Sequence, residues 1–153
     1  MHFFFSGDTF VRKRTAVNIA NFLFGALGYG MIEILWRGRT HISMLFLGGL
    51  CFSFIRCLEG RSKKNILLKA LFSALFITGT EFAAGCAVNL WWRLNVWDYS
   101  AYRLNLLGQI CLLYSVLWFF LSFAVLAAMR ILGYLYRRIR LPVKAKKAPS
   151  ADE

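Results

Sequence analysis

Apolar residues fall into four long blocks separated by short polar segments. The blocks run from about Ala16 to Trp36, Ile42 to Leu58, Ile66 to Trp91 and Leu106 to Tyr134. A bilayer hydrocarbon core about 30 Å thick needs about 20 helical residues to cross it. Blocks one, three and four exceed that length. The uncharged part of block two, Ile42 to Ile55, holds only 14 residues. It either re-enters the membrane or spans it with Arg56 snorkelling to the interface. The pattern predicts an all-α fold, an integral membrane bundle of four transmembrane helices over residues 16–136 (spans 16–36, 42–58, 66–91 and 106–134). Residues 1–15 read as a basic arm. Residues 137–153 read as a basic tail, short, polar and disordered beyond Pro142.

Charge gives the topology. Arg12, Lys13 and Arg14 precede block one, and Arg56, Arg61, Lys63 and Lys64 follow block two. Arg137, Arg138, Arg140, Lys144, Lys146 and Lys147 follow block four. The other two loops hold only Arg37 and Arg39, and Arg93 and Arg103. The positive-inside rule then places both termini in the cytoplasm (N-in/C-in) and makes block two a true span. A re-entrant block two would separate the basic arm and the basic second loop, which fits worse. Trp36, Trp91, Trp92 and Trp97 would line the outer interface, and Tyr134 and Tyr136 the inner one. The expected location is the cytoplasmic (inner) membrane, multi-pass. The lipid bilayer is the first partner, and a homo-oligomer or other membrane subunits are further ones.

Composition agrees. The chain is 59% hydrophobic with mean hydropathy +0.55, against roughly 45–50% apolar for soluble domains. A net charge of +12 would raise nucleic acid as a partner in a soluble protein. Here the cations flank apolar blocks and no recognition motif is present, so no nucleic-acid partner is expected. Cys51, Cys57, Cys86 and Cys111 lie in or beside apolar blocks without CxxC spacing. They read as packing residues rather than a disulfide framework or zinc site. No metal and no cofactor is expected. The N-terminal stretch MHFFFSGDTFVRKRT lacks the order of a cleavable signal, so block one reads as a retained anchor.

Two acidic residues fall inside spans, Glu33 in the first and Glu81 in the third. A charge at the bilayer centre costs about 2.5–3.5 kcal/mol even on insertion scales, so such residues face a bundle interior or a wet cavity. At helical spacing Glu33 shares a stripe with Gly25, Ala26, Tyr29 and Gly30. Glu81 shares one with Ala70, Ala74, Thr78, Ala84 and Gly85. Small residues let helices approach closely, so both glutamates should point at other helices. Both lie in the outer half of their spans, with Asn89, Asn105 and Gln109 at similar depth. Short loops bring in Arg39, His41 and the Trp97, Asp98, Tyr99 segment. These residues (Glu33, Arg39, His41, Glu81, Asn89, Trp97, Asp98, Tyr99, Asn105 and Gln109) form the candidate ligand-binding set, a polar pocket open to the outside. A structural reading stands beside it. Arg37 or Arg39 can pair with Glu33, Asp98 can cap a turn, and the amides can bond neighbouring helices. A further stripe of Gly108, Cys111, Ser115, Trp118 and Ser122 reads as a helix-packing seam, within the bundle or against another copy.

At GYGMIEILWRGRTHISMLFLGGLCF, TGTEFAAGCAVN and VWDYSAYRLNLLGQICLLYSVLW the chain resembles the family of small integral membrane proteins described as putative ABC-transporter type IV, or CmpB-like. The resemblance covers about residues 17–122. Within it Glu33 matches a first-span glutamate, and Glu81 with Gly85 a third-span pair. Trp97, Asp98 and Tyr99 match the loop, followed by Asn105, Gly108 and Trp118. Many members carry Arg or Lys where this chain has Gln109. The family name implies a permease. The chain itself has no GxxxxGK[ST] phosphate loop, so it is not an ATPase subunit. Three functions are therefore in play. The first is a transporter permease or channel component in which Glu33 and Glu81 bind a cationic group or proton. The second is a non-catalytic membrane interaction or scaffold protein. The third is an intramembrane lipid-modifying enzyme using the carboxylates with Arg39 and His41. No nucleophile–base pair supports the third, and the expectation is that the chain is not an enzyme.

Overall fold

The computed structural model describes residues 5–61 and 65–145; for residues 5–11, 13 and 141–145 it describes the backbone alone. Four helices make the bundle: α1 (Phe5–Arg37), α2 (Ile42–Arg61), α3 (Ile66–Gly85) and α4 (Leu112–Ala145). A π-helical turn, Cys86–Trp91, extends α3. Two short strands, β1 (Asn105–Leu106) and β2 (Ile110–Cys111), form an antiparallel hairpin before α4. All four helices are long and apolar enough to cross a membrane, and large apolar side chains such as Leu35, Phe46, Leu75 and Leu132 cover the outside. The fold is an all-α membrane bundle.

The second apolar block is one continuous helix of 20 residues. Residues Arg56 to Arg61 continue the helix beyond the uncharged run. Three further boundaries differ from the hydropathy reading. The fourth helix begins at Leu112, not near Leu106, because residues 105–111 are spent on the hairpin. The basic flanks are helical where described, with α1 starting at Phe5 and α4 continuing to Ala145. No Gly or Pro separates Arg12–Arg14 from the first span, and Arg and Lys are good helix formers. At about 1.5 Å per residue both helices reach about 50 Å, well beyond a 30 Å apolar core. They extend from the same end of the bundle. On α4 the Arg138 guanidinium lies 5.6 Å from the Tyr134 ring and Arg140 lies 4.8 Å from Tyr136. Lys63, Lys64 and the tail residues 146–153 lie outside the described residues.

Packing follows small residues. Helix α1 lies on α2, and α3 lies on α4; the two pairs meet mainly where α2 faces α3. Gly25 of α1 and Gly48 of α2 face each other so closely that a Cβ on Gly25 would sit 2.8 Å from the Gly48 carbonyl oxygen. Gly49 is as tight against the Phe22 carbonyl, at 2.8 Å. On α3 the buried stripe is Lys69, Ala70, Ser73, Ala74, Ile77, Glu81 and Gly85. Trp118, Ser122 and Leu126 continue the buried face on α4. Ser115 meets Thr78 of α3 at 3.2 Å, so the 3–4-spaced stripe of α4 packs inside the bundle.

At the end where the basic helices extend, an ion-pair cluster joins three helices. Lys69 Nζ donates to Glu59 Oε2 at 2.6 Å and to the Glu59 carbonyl at 3.2 Å. Arg130 Nε donates to Glu59 Oε1 at 2.9 Å. The two cations differ in burial, since the Lys69 side chain is 2% exposed and that of Arg130 is 42%. We expect Arg130→Ala to cost under about 1 kcal/mol, as exposed pairs do. Lys69→Ala should cost about 2 kcal/mol, because it also removes a buried stem and uncovers Glu59. Thermal unfolding of the two variants in mild detergent checks the order.

Candidate functional site

The opposite end of the bundle is closed by residues 92–111. Four residues there without a glycine's freedom hold positive φ: Arg93, Asn95, Leu104 and Leu107. Leu107 (φ 53°) and Gly108 (φ 68°) are the centre of a turn closed by Gln109 N–H to the Leu106 carbonyl at 3.0 Å. Two consecutive positive φ values are those of a type I′ hairpin turn, whose twist suits antiparallel strands. A Cβ on Gly108 would also meet Asp98 Oδ1 at 2.7 Å. Asp98 itself is exposed. It accepts from Ser100 N–H at 2.8 Å and from Ser100 Oγ at 2.9 Å, which is the turn-capping arrangement. Asn105, also exposed, donates to the Tyr102 carbonyl at 2.7 Å and accepts from Gly108 N–H at 3.1 Å. Both residues shape the cap and are already engaged in doing so.

Beneath the cap is a buried polar layer. Asn89, on the π-helical turn, donates to the Trp97 carbonyl at 2.9 Å and to Gln109 Oε1 at 2.8 Å, and accepts from Val96 N–H at 2.7 Å. Trp97 Nε1 donates to the Gln109 carbonyl at 2.9 Å. Gln109 Nε2 donates to the Leu107 carbonyl at 2.9 Å. All three side chains are buried, and buried polar atoms need such partners. The loop is thus fastened to α3 through a neutral network. Gly85 makes the fit possible, since a Cβ there would lie 2.6 Å from Gln109 Oε1.

About two turns below Asn89 lies Glu81, 1% exposed. Its Oε1 accepts from the Tyr99 hydroxyl at 2.9 Å and its Oε2 from Trp118 Nε1 at 2.8 Å. The carboxylate therefore holds the cap on one side and α4 on the other. Burial, with the Glu81 charge beside it, pushes the Tyr99 hydroxyl well above its ordinary range, so it stays protonated and donates. Tyr99 also stacks on Tyr114 with ring centroids 4.5 Å apart.

Glu81 forms part of the wall of a cleft of about 230 Å³ that runs between all four helices. Gly28 and Tyr29 of α1, Gly48, Cys51 and Ile55 of α2, Ile77 of α3, and Leu121, Ser122 and Val125 of α4 line it. The lining is almost wholly apolar. Helices α1 and α4 pack on different partners and approach one another across this cleft, touching through Tyr29 and Trp118, whose rings are 5.9 Å apart. Phe24 and Ile32, at the rim, are exposed on the apolar outer surface.

Glu33 is buried too, but held by different donors: Arg37 one turn on and Thr40 Oγ1 at 2.6 Å. Arg37 also reaches the Val96 carbonyl at 3.4 Å, tying α1 to the cap. His41 precedes α2 and its Nδ1 takes the Ser43 N–H at 3.3 Å, a helix cap. Arg39 is exposed. Arg37, Arg39, Thr40 and His41 line a second, smaller hollow of about 170 Å³ with Leu94, Asn95 and Val96.

The sequence-predicted residues thus form three groups. Glu81 and Tyr99 meet directly. Asn89, Trp97 and Gln109 form one network above them. Glu33, Arg39 and His41 sit at the α1–α2 turn, with Glu33 bound to Arg37. Asp98 and Asn105 stand apart in the cap. Tyr29, Trp118 and Ser122, absent from the predicted set, line the cleft. Their signal was present as helical stripes, Tyr29 with Glu33 and Ser122 with Trp118, but a stripe does not say whether its face is packed or hollow.

No solved structure matches the chain. The family model described as putative ABC-transporter type IV matches residues 9–145, nearly the whole of the helical domain and its cap, and the chain belongs to that family.

Proposed function

We propose that the protein is a permease or channel component of the cytoplasmic membrane, with both termini inside and the cap facing out. One observation carries this reading. Glu81 is at once a wall of the cleft and the tie between the cap, through Tyr99, and α4, through Trp118. An occupant that binds the carboxylate draws its charge away from the Tyr99 and Trp118 bonds, so binding weakens the outer closure. Residues 92–111 are then the gate, and Glu33 with Arg37 is a fixed strut. The family name is consistent with transport. The chain lacks a phosphate loop, so energy coupling would come from a partner subunit or an ion gradient. The alternative is a non-catalytic scaffold, favoured by the long exposed apolar face of α4.

The test needs no substrate. On a cysteine-free background, Ser122→Cys places one thiol in the cleft. Alternating access predicts labelling by a membrane-impermeant thiol reagent from either side of oriented vesicles. Labelling by a lipid-soluble maleimide alone would reject the permease reading and leave the scaffold.

A further inference from the structure

We infer that the cleft binds a single-chain amphiphile bearing a primary amine, which enters from the bilayer between α1 and α4 and sets its ammonium on Glu81. The inference rests on the cleft being a binding site, and adds to it the class of occupant. Four observations converge. Glu81 accepts one hydrogen bond on each oxygen, both from neutral donors, Tyr99 and Trp118. A carboxylate offers about four acceptor positions, and a buried one is best matched by a cation. Among the described residues no Lys, Arg or His lines the cleft, and Arg37, the nearby cation on α1, is engaged by Glu33. A charge complement for Glu81 inside the cleft would arrive with the ligand.

Ser122 supplies an independent sign. It lines the cleft, is 0% exposed, and its hydroxyl has no hydrogen-bond partner. Ser73 Oγ is also without a partner but does not line the cleft; the Ser122 oxygen is one that a ligand there can reach. It stands one helical turn from Trp118, the residue that holds Glu81. An ammonium has three donors; one on Glu81 leaves others for the Ser122 oxygen. A hydroxyl on the ligand's second carbon would serve Ser122 equally.

The rest of the cleft wants a chain. From Ile32 to Phe24 along α1 it extends about 12 Å at the helical rise, past Gly48, Cys51 and Ile55. The exposed rim at Phe24 and Ile32 opens on the lipid-facing surface. A water-soluble amine would leave this apolar length unfilled.

Equilibrium binding of radiolabelled dodecylamine to the full chain in phosphatidylcholine nanodiscs tests the inference, with empty nanodiscs subtracted. Saturable binding is expected, displaced by unlabelled dodecylamine and not by dodecanoate. Glu81→Gln should weaken it about tenfold or more, the equivalent of about 1.4 kcal/mol. Ser122→Ala should weaken it several-fold. Gly28→Leu should abolish it, because a Cβ at Gly28 meets nothing within 4 Å and the side chain extends into the cleft that Gly28 lines; near-ultraviolet circular dichroism checks its fold. Equal displacement by dodecanol and dodecylamine, untouched by Glu81→Gln, would make the cleft an ordinary acyl-chain slot and overturn the amine assignment. Displacement by ethylamine at matched concentration would overturn the amphiphile. A dimer lost in Gly28→Leu would put a helix of a second copy in the cleft and overturn it too. Absence of binding alongside two-sided labelling of Ser122→Cys would reject this occupant and leave the permease. Binding without two-sided labelling would do the reverse.

Discussion

Gly48→Leu is expected to separate α1 from α2 and to cost about 3 kcal/mol or more, at the upper end of what overpacking produces. The reason is the nature of the opposing atoms. A Cβ at position 48 would lie 2.9 Å from the Tyr29 Cγ and 3.0 Å from the Gly25 carbonyl oxygen. The second is backbone and cannot swing away, so the helices themselves must part. Lipid gives no hydrophobic drive to reunite them, because tails are as apolar as leucine. The close approach is what holds the pair. Gly79→Ala is the control. A Cβ at Gly79 meets nothing within 4 Å, and a helical Gly-to-Ala change there should stabilise by about 0.5–1 kcal/mol. Unfolding of both variants in mild detergent, followed by tryptophan fluorescence, gives the comparison. A Gly48→Leu protein as stable as the parent would mean that α1 and α2 do not pack through this contact.

Glu81→Ala should cost about 2–4 kcal/mol, for the opposite reason. Nothing is overfilled; two donors are stranded. Tyr99 O–H and Trp118 Nε1–H lose their shared acceptor in a place closed to water, and each buried orphan costs about 1–3 kcal/mol. Glu81→Gln keeps the volume, its oxygen accepting from Trp118 Nε1–H and its N–H₂ donating to the Tyr99 hydroxyl oxygen, but neutral bonds replace charge-assisted ones, so about half of that loss is expected. Tyr99→Phe removes a donor and leaves the carboxylate with Trp118, which should cost about 1 kcal/mol. The order Ala, then Gln, then Tyr99→Phe is the signature of a carboxylate bridging the cap and α4. Chemical unfolding, with near-ultraviolet circular dichroism as the probe of the aromatic cluster, reads it. If Glu81→Ala matched Tyr99→Phe, the Trp118 bond would carry no weight.

The two glutamates show how far local pattern reaches. Each shares a helical stripe with small residues, which points it inward, and both are buried, Glu33 at 4% and Glu81 at 1%. What a stripe does not encode is the partner. Glu33 takes Arg37, from its own next turn, and Thr40. Glu81 takes Tyr99 and Trp118, which are 18 and 37 residues away. The first bond follows from helix periodicity. The second exists only once a loop has folded back over the helix.

The segment Asn105–Cys111 makes the same point from the backbone. NLLGQIC is apolar enough to read as the start of a span. Its Leu-Gly pair instead adopts positive φ, a conformation that costs a leucine about 1–3 kcal/mol. Contacts offset that cost: Tyr99 N–H against the Gly108 carbonyl, Asn105 against the Tyr102 carbonyl, and Gln109 against Asn89. None of these is adjacent in sequence.

Hydropathy by itself determined that the chain is a four-helix membrane bundle, and helical spacing determined which faces of α1 and α3 turn inward. These are one-dimensional quantities: a bilayer selects length and apolarity, and a helix converts spacing into a face. Tertiary structure alone decided that the polar residues of the loop close on one another, that Glu81 bridges the cap and α4, and that an apolar cleft with an unpartnered serine lies beside it. A cleft is the space that packing fails to fill, and it depends on how four helices meet rather than on the pattern along any one of them.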